Sequence, residues 1–121
     1  MVLYYLDSYA IIEIVLGNRN YQQYKGKEVI TSKLNLFEVH FKFLREFGTE
    51  RANAALQEYY KYAIDYGPEE IIGASRFKLQ HRKRNISPTD ALGYIIALRN
   101  GAKFLTGDKE FKDMNNVEFM K

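Results

Sequence analysis

Residues 87–108, Ser-Pro-Thr-Asp-Ala-Leu-Gly-Tyr-Ile-Ile-Ala-Leu-Arg-Asn-Gly-Ala-Lys-Phe-Leu-Thr-Gly-Asp, constrain the fold more than any other stretch. They read as a buried helix that feeds a short strand. Ser87 is an N-cap residue, and Pro88 suits the first helical position, where its missing N–H would lack a partner anyway. Ala91, Leu92, Ile95, Ile96 and Leu98 cover too many faces for a surface helix. Gly101 ends the helix in the left-handed role, and Lys103–Thr106 reads as a strand turned by Gly107-Asp108. An acid, Asp90, therefore stands in the first turn of a helix, and a second, Asp108, at the end of a strand. An apolar span joins them.

The rest of the chain repeats this alternation. Val2–Leu6 is an apolar run typical of a strand buried on both faces, and it stops at Asp7. Residues 8–16 read as a short buried helix ending before Gly17. A second strand is expected at 28–31. Ser32 can cap a helix over 33–47, in which Leu36, Phe37, Phe41 and Leu44 repeat at helical spacing. A further helix is expected over 49–66, broken by Gly67-Pro68, and another over 68–84. Residues 117–120 form a last short strand. The segment 64–66 is compatible with a very short strand as well as a helix end. Strands alternating with helices give an α/β/α sandwich on a short, mostly parallel sheet, built as a single domain over 1–121.

Composition narrows the chemistry. The chain has no cysteine, which excludes disulfides and thiolate metal sites. No apolar run approaches membrane-spanning length and the N-terminus lacks the basic flank of a signal peptide, so a soluble, cytoplasmic protein is expected. Of 18 Lys and Arg, five (Arg76, Lys78, Arg82, Lys83 and Arg84) fall in 76–84 without one acid, which leaves 13 bases against 15 acids elsewhere. Such local positive charge suits RNA or an acidic partner; it also suits a solvated helix end, where basic side chains complement the helix dipole.

In an open parallel sheet, ligands bind beyond the carboxyl ends of the strands. Asp7 and Asp108 end strands, Glu38 lies early in the helix after the second strand, and Asp90 begins a helix near the same edge. Each has a structural alternative: an N-cap for Asp7, a capping box with Ser87 for Asp90, a turn cap for Asp108, and a solvated helix position for Glu38. Four caps need not share an edge, however. Four like charges in one pocket raise each other's pKa values and call for cations. With oxygen ligands and no His or Cys cluster, the ions expected are Mg²⁺ or Mn²⁺. His40 and His81 are isolated from the acids.

Asp7-Ser8 after an apolar strand, Glu38 within Leu-Asn-Leu-Phe-Glu-Val, Thr89-Asp90-Ala91-Leu92 and Leu105-Thr106-Gly107-Asp108 together resemble the motif set of PIN-domain proteins. The resemblance is greatest to the small branch called VapC, the toxins of prokaryotic toxin–antitoxin pairs. It covers nearly the whole chain, with the motifs in order. It implies that Asp7, Glu38, Asp90 and Asp108 form the catalytic and metal-binding site, with Ser8 and Thr106 as supporting hydroxyls. It further implies a metal-dependent endoribonuclease, an RNA substrate, a homodimer and a small antitoxin partner. Tyr9 departs from the pattern, in which a small polar residue is common, and Asp113 stays outside the site.

The residues point to the same chemistry. No nucleophilic side chain stands beside a base, so water activated by one or two divalent ions is the expected attacking group, leaving a 5′-phosphate. Two alternatives remain open at this level. A PIN-like module could bind RNA or a partner without cutting. A phospho-accepting signalling domain also places acids and Mg²⁺ at strand ends, but it wants adjacent acids after the first strand, and Asp7 stands alone.

Overall fold

The computed structural model describes all 121 residues. In chain order the elements are β1 (Leu3–Leu6), α1 (Ser8–Val15), β2 (Glu28–Ile30), α2 (Lys33–Phe47), α3 (Thr49–Tyr59), α4 (Pro68–Gln80), α5 (Pro88–Arg99), β3 (Lys103–Thr106) and β4 (Val117–Phe119), with short 3₁₀ turns at Arg19–Tyr24, Tyr60–Tyr62 and Lys109–Phe111. The four strands pair in the order β2-β1-β3-β4, and every pairing is parallel. The sheet is therefore wholly parallel, and no helix is long and apolar enough to cross a membrane.

Strand alternation divides the interior into two layers. Tyr5 and Phe104 point into a cluster with Phe77, Tyr94, Ile96 and Phe111, under α4 and α5. Their neighbours Leu6 and Leu105 point the other way, into a cluster with Ile11, Tyr21, Leu36, Val39 and Phe43 under α1, α2 and α3. The two central strands are thus covered on both faces, as a parallel sheet requires, while the edge strands β2 and β4 are only partly buried. In α5, Gly93 lies so close to the sheet that a Cβ there would stand 2.9 Å from the Tyr5 ring.

The ends of the central elements follow the expected local chemistry. Ser87 Oγ accepts from the Asp90 amide at 3.1 Å, Pro88 opens α5, and Gly101 takes φ +65° just past its end. Ser32 caps α2, which spans the expected 33–47. The middle of the chain differs in two places. α3 stops at Tyr59, and Ala63 then makes a parallel bridge to Thr31, with the Thr31 amide donating to the Tyr62 carbonyl and the Ile64 amide to the Thr31 carbonyl, both at 3.0 Å. The short strand-like contact sits at Ala63, one residue before the suspected segment. α4 stops at Gln80, so Arg82, Lys83 and Arg84 lie in the turn after the helix and not on it.

Along α2, Leu36, Val39 and Phe43 are buried, whereas Phe37, Phe41 and Leu44 are 67%, 54% and 43% exposed. The helix therefore carries apolar side chains on two faces, only one of which meets the core.

Candidate metal centre

The chain leaves β1 for β2 on one side and later returns to place β3 on the other, so the strand order reverses between β1 and β3. Parallel sheets open a crevice at such a point, beyond the carboxyl ends of the two strands. Asp7 follows β1 there and Asp108 follows β3 by two residues. Asp90, in the first turn of α5, arrives at the same edge. All three line one open cavity of about 640 Å³, together with Tyr9, Glu13, Lys42, Gly107, Lys109 and Lys121.

Asp7 is 2% exposed, and its Oδ1 accepts from the Ala10 amide at 2.7 Å, capping α1. Asp108 Oδ1 accepts from the Glu110 amide at 2.9 Å, capping the next turn. The capping roles are real, but each uses one oxygen of a carboxylate that offers about four lone-pair sites. The Asp90 amide donates to Ser87 Oγ, and the Ser87 hydroxyl also favours the charged form of the Asp90 carboxyl.

Ser8 Oγ donates to Glu38 Oε1 at 2.6 Å and receives Asn35 Nδ2 at 3.0 Å. Glu38 is therefore tied toward the start of α1 and is not a freely solvated helix residue. Thr106 is fully buried, and its Oγ1 accepts from the Asp108 amide at 3.0 Å.

The electrostatics follow from burial. Desolvation pushes the Asp7 carboxyl up to about 8; the Thr106 hydroxyl and Ala10 amide oppose the rise, and the charges of Asp90 and Asp108 add to it. Asp90 is raised to about 6, again chiefly by burial, with Ser87 opposing and Asp108 and Glu38 contributing. Asp7 thus feels the charges of Asp90 and Asp108, and Asp90 those of Asp108 and Glu38, although Glu38 does not line the cavity itself.

The sequence matches the model of the PIN domain family over residues 4–117. The chain belongs to the PIN domain family. No curated protein is similar enough in sequence to count as a match. Solved structures share the PIN fold at low identity. The Mycobacterium tuberculosis VapC20 toxin, described as cleaving the sarcin–ricin loop, superposes with a TM-score of 0.77 at 18% identity, covering 98% of this chain and 99% of that one. A toxin–antitoxin complex from Klebsiella pneumoniae gives 0.76 at 16% identity, with 95% of each chain covered. The DNA-bound VapBC of Salmonella typhimurium gives 0.75 at 17%, covering 99% and 98%.

Whether this PIN domain suits a divalent ion can be judged from its donors. They are all oxygen, with His40 paired to Asn53 on the surface and His81 packed at a tilt against Phe77. No three of these acids stand close enough together to ligate one ion directly. A hard cation such as Mg²⁺ keeps several waters and needs only one or two carboxylates, so a spaced set in a roomy cavity fits it. The same spacing does not fit a tight all-protein cage.

The basic stretch lies elsewhere. Lys78, Arg82 and Arg84 line a separate cavity with Ser75, Leu79 and His81. Each donates to a backbone carbonyl: Lys78 to Ile86, Arg82 to Leu79 and Arg84 to Glu110, at 2.7, 3.1 and 2.6 Å. Four charged residues of the acid cavity were not singled out from the sequence: Glu13, Lys42, Lys109 and Lys121. Lys109 arrives there as the neighbour of Asp108, whereas only the tertiary fold brings Glu13, Lys42 and Lys121 to the acids.

Proposed function

We propose that this PIN domain is a VapC-like toxin that hydrolyses RNA phosphodiester bonds with a Mg²⁺ or Mn²⁺ site. The observation that carries the reading is the meeting of Asp7, Asp90 and Asp108 in one open cavity at the switch point of the sheet. Burial holds two of these carboxyls above their ordinary range, and a bound cation relieves that cost. Asp7, Asp90 and Asp108 would hold the ion, directly or through water. Glu38, aimed by Ser8, would complete the set or orient a water, and Thr106 would keep the Asp108 backbone in place. When bound, the ion supplies water activation and charge stabilisation on the phosphate.

The reading extends to partners. Arg76, Lys78, Arg82, Lys83 and Arg84 are assigned to an RNA strand beyond the cleavage site or to an acidic segment of an antitoxin. The exposed Phe37, Phe41 and Leu44 face of α2 supports a protein partner, either that antitoxin or a second copy in a homodimer. The DNA-bound VapBC and other toxin–antitoxin complexes share this fold and support the same assignment.

Cleavage of RNA by the purified chain in Mg²⁺ or Mn²⁺, against EDTA, tests the reading. Asp7→Asn keeps a capping side chain, since Asn caps about as well as Asp. It should abolish cleavage while leaving the chain folded, and Asp113→Asn should cleave as wild type. Full activity in Asp7→Asn overturns the assignment.

A further inference from the structure

We propose that Lys109 and Lys121 form a cationic rim above the acid cavity that grips the RNA phosphates flanking the cleaved one, and that Tyr9 holds Lys121 in position. The inference rests on the nuclease reading of the cavity and names the substrate contacts that reading leaves open.

Charge in the cavity is layered. Asp7, Asp90 and Asp108 lie among buried or half-buried residues, while Lys109 and Lys121 are exposed. Neither lysine makes an ion pair within 4.0 Å, although four carboxylates line the same cavity and Lys109 directly follows Asp108. Lys42, the third lysine of the lining, is committed to Glu46 at 2.9 Å. A floor that attracts cations under a rim that attracts anions suits a phosphate diester with its divalent ion. An acidic peptide would meet the rim but be repelled by the floor.

Lys121 is also built into place. The Met120 amide donates to the Thr106 carbonyl at 2.9 Å, the Tyr21 hydroxyl donates to the Met120 carbonyl, and Asn20 Nδ2 donates to the Lys121 carbonyl at 3.0 Å. This backbone is thereby fixed beside the end of β3. The Lys121 ammonium then sits 5.4 Å from the centroid of the Tyr9 ring, a cation–π arrangement. Tyr9 fills the space above Gly107, where any Cβ would collide with its ring. A small polar residue at position 9 would leave that space open and the ammonium without a seat. The departure of Tyr9 from the family pattern thus acquires a physical role.

The basic turn at 82–84 is the competing phosphate surface. Arg82 and Arg84 are already engaged with backbone carbonyls, and their cavity shares no residue with the acid one.

The test is binding of a fluorescently labelled single-stranded oligoribonucleotide by anisotropy across a salt series. The full chain is used in the Asp7→Asn background, so that the strand stays intact. Each phosphate contact on a single strand adds about 0.7 to the slope of log K against log salt. Lys109→Gln with Lys121→Gln should therefore lower the slope by about 1.4. Tyr9→Leu should lower it as Lys121→Gln does, while Tyr9→Phe, which keeps the ring, should match the parent. Circular dichroism and melting temperature confirm that each variant is folded.

An unchanged slope in the lysine pair, or a loss confined to Arg82→Gln/Lys83→Gln/Arg84→Gln, overturns the rim. So does undiminished RNA binding accompanied by lost binding of an acidic peptide. Tyr9→Leu behaving as the parent overturns the role of Tyr9. Metal-dependent cleavage by the Asp7 chain with an unchanged slope in the lysine variants refutes the rim and spares the nuclease. Lysine-dependent binding without cleavage in any metal does the reverse.

Discussion

Asn35 is fully buried, and its Oδ1 accepts from the Tyr5 hydroxyl at 2.5 Å and from Ser32 Oγ at 2.9 Å. Its amide nitrogen donates to Ser8 Oγ, which in turn donates to Glu38. A hydrogen-bonded line thus runs from the core beneath α5, through Asn35, to an acid of the candidate site. Ser8 and Glu38 are marked in the sequence by their motifs, but Asn35 is not, because a lone Asn early in a helix looks like any polar surface residue. Its burial becomes visible only once β1 and α2 are packed together. Replacing it with Leu of similar size leaves the Tyr5 hydroxyl and Ser8 without their partner. The expected cost is about 2–4 kcal/mol, read as a lower urea midpoint at unchanged m-value. Adding Tyr5→Phe should recover part of that loss, because removing both partners is cheaper than stranding one. A loss within about 0.5 kcal/mol for Asn35→Leu, the range of ordinary surface substitutions, would contradict the line.

At the scale of elements, what could be read from sequence was what local chemistry decides. α2 and α5 carry their own stop signals: Ser32 and Gly48 bracket one, Ser87-Pro88 and Gly101 the other. β3 is bounded by Gly101 and Gly107. α3 and α4 have no such signal at their C-termini. Tyr60 to Tyr66 continue a plausible helical pattern, and only the pairing of Ala63 with Thr31, distant in sequence, draws the chain out of helix. Arg82, Lys83 and Arg84 have good helix propensity, yet the chain turns there and Arg84 reaches the Glu110 carbonyl. The placement of Asp7, Asp90 and Asp108 was legible for the same reason as the helices, since each sits at an element's start or end; Glu38, in the second turn of α2, has no such marker. The lysine rim was not, because Lys121 meets Lys109 only through the sheet edge. Gly107 joins these levels. The sequence identifies it as a turn residue, and its φ is not in the left-handed region. The structure requires a glycine for close approach, since a Cβ would stand 2.8 Å from the Met120 carbonyl and inside the Tyr9 ring. Gly107→Ala is expected to cost about 1–3 kcal/mol by overpacking, measured as a drop in melting temperature. It should also weaken cleavage, because it displaces the backbone that leads into Asp108. A wild-type melting temperature would show that Tyr9 yields without cost.

The whole molecule places a desolvated carboxyl, Asp7, between two apolar clusters at the one crevice the strand order leaves open. That arrangement couples folding to protons and, on the proposed nuclease reading, to metal. Asp7 and Asp90 have folded-state values of about 8 and about 6, against 3.8 for an ordinary aspartate. An acid raised in this way keeps its proton in the folded chain after the unfolded chain has released it. Unfolding then releases protons, so rising pH favours the unfolded state. The stability these groups contribute is intact below about pH 4 and declines from there as the unfolded carboxyls ionise; Asp90's share is lost once pH passes about 6, and Asp7's once it passes about 8. The slope reaches at most about 1.4 kcal/mol per pH unit for each titrating group. A divalent ion held there would act in the opposite direction, because it would bind the ionised carboxylates of the folded chain and compete with their protons. At a free concentration about 100-fold above its Kd it adds roughly 2.7 kcal/mol. Melting temperatures taken with EDTA should therefore fall from pH 5 to pH 8, and Mg²⁺ or Mn²⁺ should raise them more at pH 8 than at pH 5. Asp7→Asn should flatten the upper part of the EDTA curve, since the group responsible for it no longer titrates, and should shrink the metal-induced rise. A metal-free protein equally stable at pH 5 and pH 8 would mean that Asp7 reaches water more freely than its burial indicates. A rise with Mg²⁺ that survives Asp7→Asn undiminished would move the metal away from the switch point, and the nuclease assignment with it.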